Sequence, residues 1–270
     1  MINQHEIDQY HRDGFVTVDD VLSTEEIAAL RIATTDPRVQ EPYTKLVEGP
    51  GWLHLLELTC KHEAFHALAR HPRLMEVVTS VLGKDVQLQH SKLAAKREQP
   101  GTGEVPWHQD FSYFPHTNTD LCAVMVMLDD ATPDNGCMQM VRGSHREGLR
   151  EHHDSSGWFA GSCQEPGAWA DASRIVDVMP RAGGISIHHC LTMHSSVANR
   201  SGAPRRGLVF QFRAADAMQL CDEIWADTGM QVAGSPVATV RCESACWRLR
   251  RRQQQNPFGS AWNQRGSRAG

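Results

Sequence analysis

The chain has 270 residues, 40% of them hydrophobic, and a formal net charge of −5. That size suits one large domain with a sizeable core, and the acidic balance gives no electrostatic reason to expect nucleic acid or an anionic membrane as partner. Eight cysteines without a Cys-x-x-Cys pair, no signal peptide and no apolar run of spanning length point to reduced thiols in the cytoplasm. Cys242 and Cys246 have the spacing of a zinc half-site, but no second Cys/His pair accompanies them.

Residues 3–13 read as a helix stopped by Gly14, followed by a short strand, Phe15–Val18. A second helix opens on the capping box Ser23-Thr24-Glu25-Glu26. The segment 36–51 reads as irregular, and helical patterns resume around 52–58, 62–69 and 72–82, the last ended by Gly83. Residues 1–83 are therefore expected to be mostly helical support. From 84 to 215 the character changes to short strands, expected at 85–96, 105–115, 120–128, 137–141, 174–179, 184–189, 194–198 and 205–215. The apolar run Leu121–Leu128 suits a strand buried on both faces. The polar, Gly-rich stretch 143–172 is long for a loop in a compact domain and reads as a lid. Residues 216–270 read as a C-terminal cover, with a basic segment from Trp247 to Arg252 and late aromatics in 256–264. Helices followed by strands imply a mainly β fold with flanking helices, built on a jelly roll or cupin-like core.

His-x-Asp occurs three times, at His11-Arg12-Asp13, His108-Gln109-Asp110 and His152-His153-Asp154. With 15 histidines in the chain the spacing alone carries no signal. Context selects the middle one. It lies on an expected strand, where alternate side chains share a face, so His108 and Asp110 project together and Gln109 points away. An imidazole and a carboxylate side by side are two thirds of a facial triad for non-haem Fe(II).

Trp107-His108-Gln109-Asp110, Asp134-Asn135-Gly136-Cys137-Met138, Gly143-Ser144-His145-Arg146 and His194-Ser195-Ser196, followed by Asn199-Arg200-Ser201 and Pro204-Arg205-Arg206, occur in that order. Together they resemble the phytanoyl-CoA dioxygenase family over about residues 5–215. The resemblance implies a double-stranded β-helix with Fe(II), 2-oxoglutarate and O2 as metal, cosubstrate and oxidant. It implies His108, Asp110 and His194 as metal ligands, and Arg205, eleven residues after His194, as the partner of the far 2-oxoglutarate carboxylate. Arg206 competes for that role. Strand parity favours Arg205, because Arg206 shares its face with Leu208, Phe210 and Phe212, which look like packing against helices. Ser196 matches a hydroxyl beside the same carboxylate, and Lys92 an upstream lysine near the cosubstrate.

His189 matches a histidine five residues before the distal ligand; it either faces the site or is a hydrogen-bonded core residue. Arg146, His152, His153, Trp158 and Trp169 on the lid could meet a polar or anionic small molecule. Two departures stand out: Met125 where many members have tryptophan, and Arg142 where proline is usual. The carboxylate of Asp110 argues against the halogenating relatives, which replace it with a small residue. The expected activity is hydroxylation of an unactivated C–H of a small metabolite, with release of succinate and CO2. An acyl-CoA or natural-product scaffold is the alternative substrate class. The rival reading is a cupin-like metal-binding sensor or structural module without turnover, in which a cosubstrate arginine would have no purpose.

Overall fold

A computed structural model describes residues 2–249 apart from 41–45, 50, 99–100, 168, 170 and 222–223. Helix α1 (Gln4–Asp13) is held at its start by a capping box between Asn3 and Glu6. It leads into β1 (Phe15–Val18), then α2 (Thr24–Ala33), which opens on the Ser23–Glu26 box anticipated from sequence. There follow α3 (Pro37–Gln40), β2 (Leu46–Gly49), β3 (Trp52–Leu56), α4 (Leu58–Lys61), α5 (Glu63–Leu68) and α6 (Pro72–Leu82). Eight strands then run to residue 214: β4 (Val86–Lys96), β5 (Val105–His108), β6 (Leu121–Met127), β7 (Met138–Val141), β8 (Ile175–Val178), β9 (Ile185–His189), β10 (His194–Ser196) and β11 (Arg205–Ala214). A last strand, β12 (Gln231–Ala233), comes from the C-terminal segment.

The strands form two antiparallel sheets. The larger has the order β1-β9-β6-β11-β4-β3-β2, and the smaller β5-β10-β7-β8. Strand β11 occupies one edge of β4 along its length, so β3 and β12 share the other edge, at opposite ends. The large sheet buries both faces, and parity separates two cores. Val124, Val126, Ile185, Ile187, Leu208, Phe210 and Phe212 pack outward against Tyr10, Ile27, Leu30, Phe65, Leu74 and Val78 of the helices. Ala94, Met125, Met127 and Val209 point inward and meet Met138, Met140 and Val178 of the small sheet. Full burial of a side chain such as Phe210 contributes about 1.5–3 kcal/mol, so the helical layer stabilises the sheet whose other face lines the interior.

Several elements differ from expectation. Residues 52–56 form a strand rather than a helix, because pairing with β4 (Trp52 opposite Lys96, Leu56 opposite Lys92) overrides an ambiguous apolar run. The segment expected to be irregular contains α3 and β2. The strand expected over 105–115 ends at His108, and Asp110–Ser112 is a 3₁₀ turn. A bulge between Gln211 and Phe212, opposite Leu88 and His90, breaks the alternation of β4, so that His90, Lys92, Ala94 and Lys96 face inward in phase while Val86 and Leu88 join the outer core. The expected fold-back of the aromatics in 256–264 lies outside the described residues.

Candidate metal and cosubstrate site

The small sheet brings the expected ligands together. His194 on β10 is the direct antiparallel partner of His108 on β5, and their rings lie 4.1 Å apart. Gln109 keeps an extended backbone (φ −121°, ψ 130°), so Asp110 emerges on the side of His108 even though the strand has ended. The Nε2 atoms of His108 and His194 lie 3.7 and 3.8 Å from Asp110 Oδ1, and the three ligand atoms all fall within 4.8 Å of one another. All three residues are buried.

Hydrogen bonds assign the free lone pairs. His108 Nδ1 lies 2.8 Å from Pro106 O and His194 Nδ1 2.9 Å from Thr192 O. A carbonyl only accepts, so each Nδ1 carries the proton and each Nε2 presents a lone pair toward Asp110, the arrangement usual for metal-binding histidines. Burial lowers the pKa of both imidazoles and keeps them neutral. Burial alone would raise the Asp110 carboxyl, but the hydrogen bond donated by His188 lowers it, and the balance lies well below the usual carboxylate range. Two neutral nitrogens and one carboxylate oxygen facing a common point suit a divalent iron with open positions.

The second oxygen of Asp110 is held by residues the sequence reading did not assign. Gln211 Nε2 donates to Oδ2 at 2.6 Å, and His188 Nε2 lies 3.2 Å from it. With Oδ2 engaged, Oδ1 remains for one-point coordination. Gln211→Leu is expected to weaken metal binding by roughly 10- to 100-fold, the usual cost of losing such a partner. A Co(II) titration measures this; unchanged affinity would mean that Gln211 does not orient the carboxylate.

The expectation that His189 meets substrate needs correcting. Ile185 and Ile187 face the helices, so parity turns His188 inward and His189 with the isoleucines. His189 Nδ1 accepts from Leu191 N at 3.1 Å, and its ring lies beside His145. The isoleucine alternation was the available signal. His152 is likewise committed elsewhere: its Nδ1 donates to Arg150 O at 2.8 Å and its Nε2 accepts from Gln109 N at 3.1 Å. It pins its own segment to the strand end rather than offering a nitrogen to substrate. Gln109, pointing away from the metal ligands as parity requires, donates to Leu191 O and Gly148 O and accepts from Arg150 N. Arg146 is exposed and Trp158 half-buried on the same segment, and the backbone of Trp158 is tied to Asp154.

Burial pulls the pKa of His152 down to about 4 and that of His116 to about 3, against about 6.5 for a free imidazole. The unfolded chain therefore binds more protons below that value, and stability falls as the pH drops from 6.5 toward 4. Urea unfolding at pH 7.5 and 5 should show the loss. His152→Gln should reduce its slope by up to about 1.4 kcal/mol per pH unit; an unaltered slope would place the acid sensitivity elsewhere.

Arg205 and Arg206 have opposite surroundings. Arg206 is bidentate on Asp129, at 2.9 Å from Nε and 2.8 Å from Nη2. Arg205 is 4% exposed, donates from Nη1 to Gly136 O at 2.8 Å, and leaves its buried Nε without a partner. No carboxylate of the described residues pairs with it. Ser196 shares the His194 side of β10 and is buried. Lys92 lies on the inward face of β4, where burial lowers its pKa and Asp110 partly offsets this. Met125 packs over Gly207, where an added Cβ would come within 2.9 Å of its Sδ.

The sequence model described as phytanoyl-CoA dioxygenase matches residues 10–207. This chain belongs to the phytanoyl-CoA dioxygenase family. The family member is 28% identical over 233 residues to a probable alpha-ketoglutarate-dependent hypophosphite dioxygenase of Stutzerimonas stutzeri, covering 78% of this chain and 79% of that one. It is 27% identical over 247 residues to the ectoine dioxygenase of Bordetella bronchiseptica, covering 80% and 76%. The crystal structure of EctD from S. alaskensis with bound Fe superposes with a TM-score of 0.67 at 23% identity, covering 89% of this chain and 87% of that one. That likeness shows the fold, a double-stranded β-helix. The enzyme is an iron(II)- and 2-oxoglutarate-dependent dioxygenase acting on a small molecule. No helix among its described residues is long and apolar enough to cross a membrane.

Proposed function

We propose that His108, Asp110 and His194 hold the Fe(II), that Arg205 and Ser196 hold the far carboxylate of 2-oxoglutarate with Lys92 nearby, and that the product is an alcohol of a small polar metabolite. The observation that carries the assignment is the buried, acid-free guanidinium of Arg205 on the same interior as the triad, while the neighbouring Arg206 is already satisfied by Asp129. When bound, Fe(II) with 2-oxoglutarate and O2 supplies an oxidant able to take hydrogen from an unactivated C–H, leaving succinate and CO2. The chain's own residues keep the imidazoles neutral, keep Asp110 ionised and restrict it to one coordinating oxygen. The stretch from Gly148 to His152 is tied to the end of β5 through Gln109.

Ectoine and hypophosphite, for which the curated relatives are named, are small and polar, and this favours a small metabolite over an acyl-CoA. All eight cysteines are free thiols, which suits a reducing cytoplasm. Anaerobic addition of Fe(II) and 2-oxoglutarate should produce a visible charge-transfer band, and a succinate-release screen over small metabolites should identify the substrate. A protein that gives no band has no chelated 2-oxo acid and would be a metal-binding module instead.

A further inference from the structure

The segment 148–165 and the end of the described chain enclose a cleft that neither the metal ligands nor Arg205 uses. Its volume is about 260 Å³, and its walls include Ser112, Glu151, His153, Glu165, Trp247 and Arg248. That is less than drug-sized ligands ordinarily occupy, so the room is for a small molecule. Trp247 is seated by its ring on Phe111, 4.8 Å away, and Arg248 by Glu151, 2.6 Å away. A row of rings joins the cleft to the metal site. His108 meets Tyr113 at 5.7 Å, Tyr113 meets Phe159 at 5.0 Å, and Phe159 meets His153 at 5.6 Å.

The charged groups of the cleft are already engaged with one another. Arg150 reaches Glu147 at 2.6 Å and Glu165 at 3.2 Å, and Arg248 reaches Glu151. A substrate carboxylate would compete there with one already in place. His153 is different. It is 6% exposed, its Nδ1 lies 2.8 Å from Glu151 Oε1, and its buried Nε2 has no hydrogen-bond partner among the described residues. A carboxylate only accepts, so Nδ1 carries the proton and the neutral ring offers a lone pair at Nε2. A buried acceptor without a donor is costly, so the group that completes this one must bring an N–H or O–H. Trp247 adds an indole to the same cleft, and an indole face attracts a cation.

We propose that this cleft seats the amino group of the substrate, a small organic ammonium compound that donates to His153 Nε2. Glu151 holds the imidazole from its other nitrogen, Trp247 lies beside the charge, and the carbon skeleton runs along Phe159 and Tyr113 toward the metal. His153 is then a specificity-determining residue, and the polar or anionic molecule expected from sequence narrows to a cation. The inference rests on the reading of the substrate as a small polar metabolite.

The test is succinate release at saturating Fe(II) and 2-oxoglutarate with probes that share a skeleton and differ in the end group: hexylamine, 1-hexanol and hexanoate, and the amine, alcohol and acid of cyclohexane. The amines should stimulate release, with half-saturation at least about tenfold below that of the alcohols, and the acids should not stimulate. His153→Phe keeps a ring against Phe159 and removes the acceptor. It should raise the half-saturating amine concentration by about tenfold or more, while the maximal rate changes far less. Trp247→Leu should raise it roughly threefold for the amines and less for the alcohols. If His153→Phe fails to fold, the order of end groups on wild type and the Trp247→Leu variant still decide. Stimulation by an acid, no stimulation by either amine, or an amine half-saturation that neither variant moves would overturn the proposal. Succinate release driven by palmitoyl-CoA would instead refute the small-metabolite reading itself.

Discussion

Asp110→Ala is expected to reduce substrate-dependent succinate formation to background and to weaken metal affinity by more than about 100-fold, beyond the range seen for loss of a residue that only hydrogen-bonds to a ligand. The variant removes the charged member of the proposed ligand set and leaves two neutral imidazoles, whose lone pairs then face a point with no countercharge. It also strands the donors of Gln211 and His188, both of which end on Asp110 Oδ2, in a buried setting where an unmade hydrogen bond costs about 1–3 kcal/mol. Metal titration and succinate release read the two losses separately. Retention of substrate-dependent succinate would remove Asp110 from the metal site, and the pairing with His108 and His194 would need another purpose.

Arg205→Ala should act on a different quantity. A guanidinium on a carboxylate makes charged hydrogen bonds of about 1.5–3 kcal/mol each, so losing the pair should raise the 2-oxoglutarate KM by roughly 100-fold or more. The turnover rate at saturation should change far less, because the contact is made equally in the ground state and the transition state. Arg206→Ala is the internal contrast. It breaks a partly exposed ion pair with Asp129, worth about 1 kcal/mol of stability or less, and should leave the KM unchanged. If the KM responds to Arg206 and not to Arg205, the parity argument has chosen the wrong side of β11.

That argument was available from sequence because β11 alternates plainly: Leu208, Phe210 and Phe212 mark the helix side, and Arg205, Val209 and Gln211 the interior. All eight strands between Val86 and Ala214 were legible for the same reason, each being a short apolar or alternating run bounded by turn residues. β3 was not, since Trp52–Leu56 is too short to show a period and its pairing with β4 is a contact across 40 residues. The early end of β5 was equally hidden, because the turn at Asp110–Ser112 depends on contacts with remote segments, such as Phe111 N to Cys190 O. His188 was missed where a spacing taken from a family resemblance displaced the parity of Ile185 and Ile187.

Strands β4, β6 and β11 of the large sheet serve two masters through alternate residues. Those contacting α2, α5 and α6 secure the scaffold, while the intervening positions, such as Met125 and Val209, define the chamber. Changes to the chamber therefore need not disturb helix packing, and substitutions in the two sets should combine nearly additively when they share no neighbour. The architecture leaves the lineage free to alter what it oxidises while inheriting an intact frame.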